Sequence, residues 1–171
     1  ILNDCSWVVV NSKIPRELSE SAYLQRVNEC NEGLKILKQE FLISSFRDIN
    51  RSMLESLKNK SDVLYKRLCH VIDENQRVLN MKDQLQKGAG QEAGAILQAS
   101  HESLKSLYEV SCEEIDYIIE ISENIKGWYG GRILGGGFGG CSIHLLALEE
   151  MNNFINHITK NYREKFHITP E

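Results

Sequence analysis

The densest chemical signal in the chain is Gly130-Gly131-Arg132-Ile133-Leu134-Gly135-Gly136-Gly137-Phe138-Gly139-Gly140-Cys141. Seven of its first eleven residues are glycine, against twelve glycines in all 171 residues. Glycine loses backbone entropy on folding, so a run of it marks a tight turn or a close approach. Bare amides in such a turn form a nest that suits a phosphate or another loop. Gly135-x-Gly137-x-x-Gly140 also satisfies the dinucleotide-binding pattern, but that pattern needs a following helix whose N-terminus holds the pyrophosphate. An apolar, β-leaning run, Ser142-Ile143-His144-Leu145-Leu146, follows instead. No Lys-Ser or Lys-Thr closes the tract as a P-loop requires. Local pattern leaves a strand, glycine turn and strand, either a bare hairpin or one that faces a ligand.

The remaining reactive residues are dispersed. Cys5, Cys30, Cys69, Cys112 and Cys141 include no CxxC pair, which excludes a zinc ribbon or thioredoxin-like motif and points to reduced, cytoplasmic thiols. His101-Glu102 begins like a zinc-protease motif, but Lys105 stands where the second histidine belongs, so no metal site is expected. A net charge of −4 and a pI near 5.8 exclude the basic face that nucleic acid needs. No apolar run reaches membrane-spanning length. At 171 residues the chain is one domain, or one lobe of a larger enzyme. It opens at Ile1 and stops at Pro170-Glu171, and both ends read as cuts in a longer polypeptide.

The elements around the glycine tract follow from periodicity. Trp7-Val8-Val9-Val10 predicts a buried strand, and Ser19 or a neighbour a helix cap. Ala22, Tyr23, Arg26, Cys30, Leu34 and Leu37 give an amphipathic helix to about Glu40, followed by a broken helical connector over 41–59. Asp62 is the expected N-cap of a long helix with the stripe Leu64, Leu68, Val71/Ile72, Asn75 and Val78/Leu79, ending near Gly88. The turn Gly88-Ala89-Gly90 leads to a helix ending at Leu107, and Ile115, Ile118, Ile119 and Ser122 mark another from Cys112 to about Asn124. After the hairpin come a helix from Leu148 to about Tyr162 and a last strand, Phe166-His167-Ile168-Thr169. This order predicts an α+β fold: a small, mostly antiparallel sheet with several helices packed on one side.

Three blocks carry a resemblance to a known family. They are Val9-Val10-Asn11-Ser12 with Ser21-Ala22-Tyr23-Leu24-Gln25-Arg26 and Glu29-Cys30; Ser100-His101-Glu102-Ser103-Leu104 with Tyr108-Glu109-Val110-Ser111-Cys112-Glu113-Glu114-Ile115-Asp116; and Gly131 to Cys141. In this order they resemble the carboxy-terminal half of galactokinases, of the GHMP kinase superfamily. The resemblance implies that residues 1–171 are a GHMP-type C-terminal lobe whose N-terminal, phosphate-loop lobe lies outside this chain. It implies an enzyme that uses ATP and Mg2+ to phosphorylate galactose to galactose 1-phosphate, with the catalytic base and arginine in that other lobe.

Residue by residue, the resemblance gives Tyr23 the role of bonding a sugar hydroxyl, and places Gly135, Gly136 and Gly137 beside the phosphate loop. Without it, Tyr23 reads as a tyrosine at the edge of the core. One arginine, Arg26, stands after Tyr23 where the family commonly has two. Phe138 reads as a packing plug. Ser100, His101 and Ser103 read as a polar knuckle beneath the glycine turn, Glu109 and Asp116 as partners of helix ends, and Arg67 and Arg77 as a solvated or ion-paired face. The alternatives within the resemblance are a kinase for N-acetylgalactosamine or arabinose, and a catalytically silent sensor of galactose and ATP.

Overall fold

The structure is a computed structural model that describes every residue except 1, 3 and 16–18, with residues 19 and 20 described by backbone alone. Among the described residues, three antiparallel strands form one sheet: Cys5–Asn11 (β1), Trp128–Leu134 (β2) and Cys141–Ala147 (β3), in the spatial order β1-β3-β2. The glycine turn joins β2 to β3, as the flanking apolar runs predict. β1 is an edge strand and not a buried one: Val10 is buried, but Trp7 and Val9 are 44% and 50% exposed. Successive strand residues point to opposite faces, so a run of four apolar residues does not by itself mean two covered faces.

β3 is the strand covered on both sides. Leu145 joins a core with Ala93 and Leu97 of the helix Gly90–Ser103 (α4 in chain order). Its neighbour Leu146 joins a second core with Ile115, Phe154 and Ile158. These come from the helices Glu113–Ser122 (α5) and Met151–Phe166 (α6). The helices therefore pack against both faces of the sheet, where the sequence predicts one. The α4 contact is unusually close. A Cβ on Gly94 would lie 2.3 Å from the Tyr129 backbone, and one on Gly130 would lie 1.8 Å from the Gly94 carbonyl oxygen.

A helical layer completes the molecule. Ser19–Glu40 (α1), Arg51–Lys58 (α2) and Asp62–Lys87 (α3) share a core in which Leu37, Leu54, Leu57 and Leu68 are fully buried. A 3-10 turn, Phe46–Asp48, breaks the connector as expected, and the Asn50 side chain caps α2 by accepting from the Met53 amide at 3.1 Å. The cap of α3 is Ser61, not Asp62: the Ser61 backbone is extended, and its hydroxyl accepts from the Leu64 amide at 3.3 Å. Asp62 lies one residue inside and pairs with Lys66. The far end of the predicted stripe is bare, with Val78 and Leu79 62% and 58% exposed, while Met81 and Leu85 beyond it pack against the core of α4. The capping expected of Ser19 or a neighbour lies outside the described residues.

α4 does not run unbroken to Leu107. It ends at Ser103 and widens into a π-helical turn, Leu104–Tyr108, after which Glu109 takes the left-handed conformation at φ 56°. The last predicted strand is absent among the described residues. Phe154, Ile158, Tyr162 and Phe166 recur every four residues, so Phe166 completes the stripe of α6, and His167 ends the helix at φ 57°. Beyond it, Glu171 and Asn11 exchange both backbone hydrogen bonds, with N···O distances of 2.6 and 3.0 Å. No described helix is long and apolar enough to cross a membrane.

Candidate functional site

Two anchors hold the glycine turn. On one side the Phe138 amide donates to the Val110 carbonyl at 2.7 Å. On the other, the Ser12 amide and hydroxyl both donate to the Gly140 carbonyl, at 2.9 and 2.7 Å, and the Gly140 amide donates to Ile14. Gly135, Gly137, Phe138, Gly139 and Gly140 all have positive φ, which only a glycine-rich segment sustains at low cost. Phe138 packs against the core, as the plug reading expects. Gly136 differs: its φ is outside the left-handed region and it is exposed. Gly137 is buried against the Val110 carbonyl, so of the two neighbours only the Gly136 backbone is open to whatever lies above it.

Tyr23 stands over this turn. A Cβ on Gly136 would lie 3.7 Å from Tyr23 Cδ2, so two site candidates more than a hundred residues apart in sequence meet in space. The tyrosine is 46% exposed. One turn further along α1, Arg26 donates to the Tyr108 carbonyl at 2.7 Å and to the Glu109 carbonyl at 3.1 Å. That contact seats α1 on the segment whose next carbonyl, Val110, holds the glycine turn.

Of the two arginines of α3, Arg67 is ion-paired as one of the expected alternatives has it, but buried. Arg67 is not solvated but 3% exposed, bonded to Glu29 at 2.6 Å and to Glu109 at 2.7 Å, with the Leu107 carbonyl as a third acceptor. Burial opposes the charge of Glu29, but hydrogen bonds from Arg67 and Gln25 hold its carboxyl below the usual range. Losing either carboxylate leaves the buried Arg67 charge short of an acceptor, which is destabilising. Arg67's partners sit about 40 residues away on both sides, which no local pattern reveals. The anchoring roles of Ser12 and Val110 were missed for the same reason, since both are bonds to residues far along the chain. Arg77 pairs with Glu74 at 2.8 Å, as an ion-paired face predicts.

Beneath the turn the polar knuckle is built of satisfied, buried groups. The Ile133 amide approaches His101 Nδ1 at 3.4 Å, and His101 Nε2 faces Asp116 at 3.3 Å. Burial works against the Asp116 carboxylate, yet bonds from His101, Ser111 and Lys105 keep its pKa below normal. Ser100 donates to Glu74 at 2.7 Å, with Arg132 bridging both, and Ser103 bonds His70 at 2.9 Å. His144 is fully buried, and desolvation, aided by His101, pushes its pKa down to about 3. It stays neutral: Trp128 Nε1 donates to its Nδ1, leaving Nε2–H for the Ser142 hydroxyl. These groups position β2 and β3, and the exposed site surface above them is Tyr23 with Gly135 and Gly136.

Residues 81–164 match the family of GHMP kinases, C terminal. The glycine turn and its supports lie within or directly against that stretch. Residues 81–164 form a GHMP kinase C-terminal domain. The likeness extends beyond those bounds: the chain is 41% identical over 160 residues to a galactokinase of Thermotoga neapolitana, covering 94% of this chain and 44% of that relative. It is 34% identical over 166 residues to a galactokinase of Enterococcus faecalis, covering 96% and 43%. A crystal structure of Lactococcus lactis galactokinase complexed with galactose superposes on the whole chain with a TM-score of 0.93 at 31% identity, using 45% of that molecule. L. major mevalonate kinase in complex with R-mevalonate shares the fold alone, with a TM-score of 0.56 at 20% identity over 94% of this chain. The chain thus spans less than half the length of these galactokinases.

Proposed function

We propose that this chain is the carboxy-terminal lobe of a galactokinase, which moves the γ-phosphoryl group of ATP to the anomeric hydroxyl of galactose. The observation that carries this reading is the superposition of all 171 residues on the galactose-bound Lactococcus lactis enzyme at a TM-score of 0.93. In phosphoryl transfer the protein chiefly positions the reactants and stabilises charge. Tyr23 would bond a sugar hydroxyl with its phenol, which presents one donor and acceptor on a rigid ring. Of Gly135, Gly136 and Gly137, the first two are exposed and would let the phosphate loop of an amino-terminal lobe approach closely, whereas Gly137 is buried against Val110 and would support them.

The general base, the catalytic arginine and the phosphate loop would come from that other lobe. ATP supplies the transferred group, and magnesium would neutralise its phosphate charge. On the same resemblance the magnesium would be held mainly by that other lobe. A cytoplasmic location accords with five unpaired cysteines.

The test uses the intact protein with galactose and ATP. Tyr23→Phe removes one hydroxyl and little packing. A neutral hydrogen bond contributes about 0.5–1.5 kcal/mol, so the galactose KM rises several-fold while the ATP KM holds. An unchanged galactose KM in a folded variant sinks the sugar-binding role, and a wild-type protein that makes no galactose 1-phosphate sinks the whole reading.

A further inference from the structure

Arg67 projects from α3 into the seam where α1 meets the chain leaving the π-helical turn. It is the one buried Arg or Lys among the described residues. Its three contacts, with Glu29, the Leu107 carbonyl and the Glu109 carboxylate, use the whole guanidinium fork. Arg26 takes the next two carbonyls, Tyr108 and Glu109, from the side of α1. Two arginines thereby occupy three successive carbonyls and fix Glu109 in its left-handed conformation. The carbonyl that follows, on Val110, is the one to which the Phe138 amide of the glycine turn is bonded.

Tyr23 lies three residues before Arg26, on the same side of α1. One set of bonds therefore ties the helix bearing Tyr23 to the support of the glycine turn. We propose that Arg67 is a positioning residue for sugar phosphorylation, setting the separation between Tyr23 and Gly136 without touching either substrate. The inference rests on the galactokinase reading. An arginine serving only as a surface ion pair needs neither full burial nor three acceptors on two segments. A lysine keeps the charge but cannot hold three acceptors in a fixed plane.

The experiment measures kcat, both KM values and the thermal midpoint of the intact protein, as wild type, Arg67→Lys, Tyr23→Phe and the double variant. Arg67→Lys is expected to lower kcat/KM for galactose about tenfold or more, with the ATP KM within about twofold, because small misplacements of reactants slow chemistry steeply. The Tyr23→Phe effect, several-fold in wild type, shrinks below about twofold in the Arg67→Lys background, since coupled residues are non-additive. Where Arg67→Lys fails to fold, Arg67→Met with Glu29→Gln removes the buried arginine and its half-buried partner charge together and is compared in the same way. Additive effects, or normal kinetics per folded molecule, overturn the positioning role and leave the galactokinase reading intact. No galactose phosphorylation by the wild type overturns that reading, and the positioning role with it.

Discussion

Gly136 and Gly137 are neighbours with opposite reasons for being glycine. At Gly137 the backbone has φ 87°, and a Cβ would sit 2.3 Å from the Val110 carbonyl oxygen, so any side chain breaks the anchor of the turn. At Gly136 the backbone is outside the left-handed region, and the nearest atom to an added Cβ is the Tyr23 ring at 3.7 Å. Folding alone does not require glycine there. Gly137→Ala is therefore expected to lower stability by at least about 1–2 kcal/mol from backbone strain, before the clash is counted. Gly136→Ser leaves the thermal midpoint nearly unchanged and, on the proposed function, lowers kcat by up to about a hundredfold through misplacement of the reacting groups. Measuring kcat and midpoint on both variants separates the two cases. A Gly136→Ser protein with normal kcat would mean that the turn faces nothing.

Among the elements, the contact of α4 with β2 is the one most constrained by sequence. Glycine inside a helix costs about 1 kcal/mol relative to alanine, yet Gly94 stands mid-helix in α4. The compensation is its approach to Gly130 and Tyr129, which brings helix and strand backbones into direct contact. That approach lets Ala93 and Leu97 reach Leu145 and seal one face of β3. Gly94→Ala gains helix propensity and still is expected to destabilise, by about 1–3 kcal/mol of overpacking, because neither backbone has room to retreat. Urea unfolding checks the sign. A stabilised Gly94→Ala would show that α4 shifts freely on the sheet, and the seal described above would be wrong.

For the molecule as a whole, two buried neutral histidines in different parts of the interior make stability depend on pH. Burial lowers the pKa of His144 to about 3, and burial, reinforced by Arg77 and Arg132, lowers that of His70 to about 4. In the unfolded chain a histidine titrates near 6.5. Between that value and the folded one, the unfolded state binds more protons, so stability falls as pH falls. Each histidine contributes a loss that approaches about 1.4 kcal/mol per pH unit, or about 2–3 kcal/mol for both between pH 7 and 5.5. The lowered carboxylates, Glu29, Glu74 and Asp116, titrate at more acid pH and do not enter this window. Unfolding free energies measured across it are expected to show the slope, and His144→Gln to halve it. A flat profile would mean that the histidines are charged or hydrated in the folded protein.

What the sequence determined by itself is whatever rests on local periodicity and backbone chemistry. The glycine hairpin, the span of α1, the broken connector and the buried face of α5 were all legible, because turn residues and 3.6-residue spacing act within one element. The family resemblance in Tyr23 and the glycine tract was legible for the same reason, as contiguous motifs. The tertiary structure alone decided the rest. It placed Tyr23 against Gly136, turned Trp7 and Val9 outward on an edge strand, and kept Phe166 in α6 because the stripe with Tyr162 outweighed its β-leaning neighbours. It also buried Arg67, which shares the face of Leu64 and Val71 on α3 but carries a charge that composition alone assigns to the surface. A buried charge is tolerable only where acceptors from other segments surround it, and those acceptors are carbonyls and carboxylates that any sequence could carry. Their convergence is a property of the packed chain, and no single stretch of residues encodes it.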